Sequence, residues 1–354
     1  MRWDELRLDG GEPSRLPLLP RGAVTRTFDT PEFRGITFHE VTARSALNKV
    51  PEASRVPFRW TVNPYRGCSH ACLYCFARKT HEYLDLDSGH DFDSQIVVKT
   101  NVGEVLRREL AKPSWRGEHV AMGTNVDCYQ RAEGRYRLMP EVLGALRDAA
   151  NPFSILTKGS LILRDLHLLV SAAEVTDVSA AVSVGFLDEQ VWRRVEPGTP
   201  RPTRRLEVVR RLTEAGIPTS VLMAPVLPFL TDSEEQLDAT VAAIAHSGAS
   251  HVSPIVLHLR PGAREWWQAW LERERPDLVP RYAGLYGGRA YAPAAYQEQI
   301  SSAVRRLARR HGVGRLGTAP RLTGHERALR HRAPEPSPQA PPAEPRAVDQ
   351  LSLL

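Results

Sequence analysis

The sequence predicts an α/β protein built on a parallel sheet. Three observations carry that reading: six short β-branched or apolar runs follow one another from about residue 57, helical patterns with caps and stops lie between them, and no fixed-period repeat is present. The strand candidates are FRWTVN (58–63), HVAMGT (119–124), FSILTK (153–158), SAAVSV (179–184), PTSVLM (218–223) and HVSPIVL (251–257). Right-handed crossovers between such strands allow an open doubly wound sheet or a complete or partial β/α barrel, and spacing does not choose between them.

In chain order, the first 55 residues lack a clear period, and Pro13, Pro17, Pro20 and Pro31 break any helix, so residues 1–55 are expected to form an irregular extension. A helix is expected over Arg204 to Ala215, where Leu206, Val209 and Leu212 recur before Gly216 stops it. The next opens at Ser233, whose hydroxyl caps it while Gln236 closes a capping box. Leu237, Val241, Ile244 and Ala245 form its buried face, and Gly248 ends it. Residues 296–311 place Ile300, Val304 and Leu307 on one side and Arg305, Arg306, Arg309 and Arg310 on the other, an amphipathic helix outside the repeating unit. Beyond about residue 325, six prolines between Ala333 and Arg346 and no aromatic predict a disordered tail.

A chain of 354 residues holds one large or two ordinary domains, and its 42% hydrophobic and 25% charged composition excludes collagen-like, fully disordered and coiled-coil classes. No apolar run approaches the roughly 18 residues that span a bilayer, and MRWDELRLDG carries acidic residues where a signal peptide is apolar, so a cytoplasmic protein with no membrane partner is expected. Net charge is +6, and only five of the 47 basic residues are lysines. Arginine binds phosphate well, yet a modest excess spread over the whole chain leaves the partner open.

The chemistry concentrates in NPYRGCSHACLYCFAR (63–78), at the end of the first strand candidate. Three of the four cysteines, Cys68, Cys72 and Cys75, stand there as C-x3-C-x2-C, on one tight loop entering a helix. Four cysteines are too few for a disulfide framework, and the clustering points to a metal site. Structural zinc lacks a second Cys or His pair at short spacing, with His70 the one nearby completion. A thioredoxin-like pair, Cys72 and Cys75, leaves Cys68 unexplained. Three thiolates on a cubane leave one iron open, where a small molecule can be chelated and reduced by one electron.

C-x3-C-x2-C with Tyr74 directly before the third cysteine resembles the signature of the radical S-adenosylmethionine (SAM) enzymes. Within them the chain is most similar to the spore photoproduct lyase-like group, often labelled DNA repair photolyases. That likeness is carried by the cysteine stretch, GTNVDCYQRAE (123–133), ILTKG (155–159), VSVGFLD with VEPGTP (182–200) and APVLPFLTDSE (224–235). The resemblance implies a partial (β/α)6 barrel over residues 56–275, a C-terminal helical extension over 276–324 and the tail at 325–354. Its cofactors would be a 4Fe-4S cluster on Cys68, Cys72 and Cys75 and SAM on the open iron. It further implies an electron donor such as flavodoxin or ferredoxin, a monomer, and an unknown substrate of which nucleic acid is one class. Of the residues, Tyr74 would pack on the adenine and Lys158 would meet the methionine carboxylate or a ribose hydroxyl. Thr124 and Ser183 would reach methionine and ribose groups, and Glu196 would accept from ribose hydroxyls. Relatives often read D-P-Y-Q-P where this chain has Asp127-Cys128-Tyr129-Gln130-Arg131, which makes Cys128 a candidate hydrogen-atom donor.

The rival reading is a non-catalytic iron–sulfur or zinc protein that binds nucleic acid through the arginine-rich C-terminal region. The run Arg201, Arg204, Arg205, Arg210 and Arg211 reads mostly as a solvated helical face. Trp266, Trp267 and Trp270 read as a helix docked on the barrel wall rather than as a base-stacking site.

Overall fold

The computed structural model describes residues 12–13, 18–20, 22–54 and 56–314. Twelve strands run in chain order: β1 (Glu12–Pro13), β2 (Val24–Thr27), β3 (Thr37–Val41), β4 (Leu47–Lys49), β5 (Trp60–Val62), β6 (Tyr65–Arg66), β7 (Gln95–Lys99), β8 (Val120–Met122), β9 (Phe153–Thr157), β10 (Val178–Ser183), β11 (Thr219–Val226) and β12 (Val252–Val256). The six expected strands are β5 and β8 to β12. They lie side by side in sequence order, each parallel to the next, with β4 antiparallel on the outer edge of β5. The sheet order runs from β4 to β12 without returning, so the sheet is a barrel left open between its first and last parallel strands. Sequential neighbours joined by helical crossovers give this order because every connection must turn the same way.

The expected helices form where their punctuation places them. One spans Pro202–Glu214, another Glu234–His246 with the Ser233–Gln236 capping box formed, and the amphipathic one spans Ala294–His311 with Ile300, Val304 and Leu307 buried. Trp267 and Trp270 on the helix Ala263–Glu274 are buried in the core, as docking on the barrel wall requires.

The N-terminal region departs from expectation. Residues 24–49 supply three strands, and β1, β2, β3, β7 and β6 form a second sheet in that order. In it β3 runs parallel to β7, a strand not anticipated from the sequence. Phe28, Phe33 and Phe38 make a buried tilted cluster that joins the main core. Prolines mark helix breaks but do not exclude short strands, whose stability comes from their partners, β7 for β3 being more than fifty residues away. The expected tail lies outside the described residues, as do residues 315–324 of the expected extension.

Candidate active site

Cys68 to Cys75 form a loop between β6 and a 3-10 helix over Phe76–Leu84. Gly67 enters it at φ 79° and Ala71 turns it at φ 52°, left-handed values that fold three cysteines into eight residues. Three contacts clamp it. Gln130, wholly buried, accepts from the Ser69 N–H at 2.7 Å and the Ser69 hydroxyl at 3.0 Å, and donates to the Gly67 carbonyl at 3.0 Å. Arg78, also wholly buried, donates to the Cys72 carbonyl at 2.9 Å, the Gly89 carbonyl at 2.7 Å and Asp93 at 2.8 Å. The Gly198 N–H donates to the His70 carbonyl at 3.0 Å, and a Cβ at Gly198 would stand 2.2 Å from the Ser69 carbonyl oxygen. Only glycine lets the loop after β10 approach this closely.

Asp127, after β8, joins the same assembly. Its carboxylate accepts from the Thr157 hydroxyl at 2.6 Å, the Lys158 N–H at 2.6 Å and the Tyr129 N–H at 2.9 Å, and meets His70 Nδ1 at 3.3 Å. Burial alone would raise its pKa, but His70 and these donors outweigh burial and bring it down to about 2. His70 Nδ1 is thereby held toward Asp127.

Lys158 ends β9. Its ammonium donates to the Ser183 hydroxyl at 2.7 Å, which donates in turn to the Ala224 carbonyl at 2.8 Å, and lies 5.8 Å from the Tyr74 ring centroid. Ends of three adjacent strands therefore hold one cation beside the cysteine loop. Burial pushes the Cys68, Cys72 and Cys75 thiols up, while Lys158 pulls the last two back toward thiolate.

Glu196 has no accessible surface. It accepts from the Tyr74 hydroxyl and forms an ion pair with Arg205, whose other amino group donates to the Ser183 carbonyl at 2.8 Å. Burial opposes its ionisation, but Arg205 and Lys158 outweigh that and hold it below the usual carboxylate value. Its two oxygens are engaged by protein, which corrects the ribose-acceptor role: Glu196 positions Tyr74. Arg205 corrects the solvated-face reading. It shares the buried stripe of Val208, Val209 and Leu212, three, four and seven residues on, a signal the basic run concealed.

Thr124 sits half-buried just beyond β8 and makes no hydrogen bond among the described residues. Cys128 is wholly buried. Burial drives its thiol pKa well up, and Asp127, Glu133 and Cys68 push it the same way. The loop after β8 does not present this thiol to an accessible surface, contrary to the expectation of a donor facing the cofactor.

Residues 62–241 match the family model described as the Radical SAM superfamily. The chain belongs to the radical SAM superfamily. An uncharacterized protein of Mycobacterium tuberculosis is 55% identical over 289 residues, 82% of this chain and 85% of the relative. One of Methanocaldococcus jannaschii is 26% identical over 197 residues, 55% of this chain and 70% of the relative. Among solved structures, spore photoproduct lyase complexed with dinucleoside spore photoproduct is similar at a TM-score of 0.60 and 15% identity, covering 81% of this chain and 84% of that one. That likeness is one of fold.

As a radical SAM enzyme, the protein uses a 4Fe-4S cluster and SAM and cleaves SAM. The donor set fits. Three free thiols on one loop feel one another electrostatically, yet among the described residues no three His, Cys, Asp or Glu side chains converge as a single ion requires. A cubane takes each thiolate at a separate corner, so it does not require the three to converge on one ion as single-ion zinc does. Three arginines of the C-terminal helix are paired: Arg305 with Glu298 at 2.5 Å, Arg306 with Glu234 at 2.9 Å and Arg310 with Asp238 at 3.5 Å. No helix among the described residues is long and apolar enough to cross a membrane.

Proposed function

We propose that Cys68, Cys72 and Cys75 hold the cluster, that Lys158, Ser183 and Thr124 bind the polar groups of SAM, and that the reaction acts on a nucleic-acid substrate. The observation that carries this is the Lys158 ammonium, fixed by Ser183 at 2.7 Å and set over Tyr74 beside the cysteine loop. When bound and reduced by one electron from a small donor such as flavodoxin or ferredoxin, the cluster supplies cleavage of SAM to methionine and a 5′-deoxyadenosyl radical that takes hydrogen from substrate.

The chain's own residues do the rest. Lys158 keeps one ammonium hydrogen for a carboxylate, a point charge suited to the methionine end of SAM. Thr124 offers a hydroxyl that no other described residue uses. Tyr74 supplies an aromatic wall whose tilt is set by Glu196, and Arg205 keeps that glutamate ionised away from water. Gln130, Arg78 and Gly198 hold the thiols in register so that little ordering remains when the metal binds. The substrate class is suggested by the dinucleoside ligand of the lyase whose fold this chain shares.

Anaerobic reconstitution tests the assignment. The parent should take up about four irons with broad absorbance near 400 nm and release 5′-deoxyadenosine with dithionite and SAM. Alanine at any of the three cysteines should abolish the absorbance. Lys158→Met should keep the irons and lose SAM affinity; unchanged affinity and turnover would remove Lys158 from the cofactor site.

A further inference from the structure

We propose that Phe76, Lys79, Arg260 and Tyr291 form a stacking platform for the unpaired bases of a single-stranded nucleic acid at the rim of the cysteine loop. This rests on the nucleic-acid reading above and narrows it.

Six large hydrophobic side chains are exposed among the described residues, and three of them are aromatic; two of those three face one guanidinium. Phe76, directly after Cys75, is 46% exposed and Tyr291 is 42% exposed. The Arg260 guanidinium lies 5.8 Å from the Phe76 ring centroid and 5.7 Å from that of Tyr291, and donates to the Tyr291 hydroxyl at 2.7 Å. The His258 ring continues the row, 4.6 Å from Tyr291. Four planar groups from three separate segments thus adjoin one another beside the loop, with Arg260 over the Phe76 and Tyr291 rings and His258 meeting Tyr291 in a T-shaped contact.

Charge completes the patch. Lys79, one turn beyond Phe76, backs onto the chain after β12, where a Cβ at Gly262 would stand 3.3 Å from the Lys79 Cβ. Neither Lys79 nor Arg260 has a carboxylate partner among the described residues, unlike Arg305, Arg306 and Arg310 of the C-terminal helix. The neighbouring carboxylate, Glu265, is engaged by the Gly262 N–H at 2.6 Å. Exposed rings interleaved with unneutralised cations suit a strand whose bases stack while its phosphates displace counterions. A duplex keeps its base faces stacked inside, so the platform selects unpaired bases.

The test uses the reconstituted full chain and fluorescein-labelled oligonucleotides of about twelve nucleotides. These are a mixed-sequence single strand, oligo-dT and the matching duplex, with an acidic aromatic peptide as competitor, and binding is read by anisotropy from about 50 to 200 mM salt. The single strands should bind more tightly than the duplex. Phe76→Ala and Tyr291→Ala should each weaken them roughly tenfold, and Lys79→Gln and Arg260→Gln should each lower the salt slope by about one. All four variants should form 5′-deoxyadenosine from SAM at the parental rate without substrate. Parental affinity in the variants, equal duplex binding or displacement by the peptide overturns the platform while leaving the nucleic-acid reading. Lost SAM cleavage in Phe76→Ala assigns the ring to the cofactor instead. A parent that binds no nucleic acid overturns both.

Discussion

Replacing Asp127 by Asn tests how the loop after β8 is tied to the cysteine loop. The carboxylate is depressed from 3.8 to about 2 in the folded chain. That difference corresponds to about 2 kcal/mol of stability at neutral pH. A depressed folded-state pKa means the contribution is full above the unfolded value and is lost as pH falls from about 4 through 2. Asn also turns a donor toward the Lys158 N–H, now 2.6 Å from Oδ2, and an orphaned buried donor costs about 1–3 kcal/mol. The amide keeps one acceptor, so the two losses overlap and the expected total is about 2–4 kcal/mol. Urea unfolding of the apo chain, followed by tryptophan fluorescence, reads this as a lower midpoint at constant slope. The gap between parent and variant should be full at pH 7 and should narrow as pH falls from about 4 toward 2. A gap below about 0.5 kcal/mol, or one that does not narrow, would refute the assignment of the depressed pKa to a structural carboxylate.

Arg205→Met should cost about 3–5 kcal/mol, because it removes the ion-pair partner of the buried Glu196 carboxylate; thermal unfolding checks it, and a near-parental midpoint would show that Glu196 takes up a proton at little cost. Gln130→Ala orphans the Ser69 N–H and the Gly67 carbonyl. Iron retained after gel filtration should fall while the fold survives. Cys128→Ala should lower stability by about 1 kcal/mol and leave 5′-deoxyadenosine formation and product distribution unchanged, since the thiol has no accessible surface. Altered or misquenched product in that variant would restore Cys128 as a hydrogen donor.

Much was legible in the sequence because it is encoded locally. Strand β9, FSILT, and helix Glu234–His246 with its Ser233 cap are set by side chains a few residues apart, and periodicity reads those directly. The C-x3-C-x2-C spacing likewise defines its donor set within one loop. Sequence left the sheet open or closed; tertiary structure decided it, because closure depends on whether β12 meets β5, strands some 190 residues apart. Strand β3 escaped notice for a related reason: it is held by β7, more than fifty residues away in the chain. Within the site, the sequence alone determined which residues were chemically capable, among them Cys68, Cys72, Cys75, Tyr74, Lys158 and Glu196. Only the fold decided their duties, setting Arg205 against Glu196, Asp127 against the end of β9 and Cys128 in the interior. Burial and pairing are properties of neighbours distant in the chain, and no local pattern of residues states them.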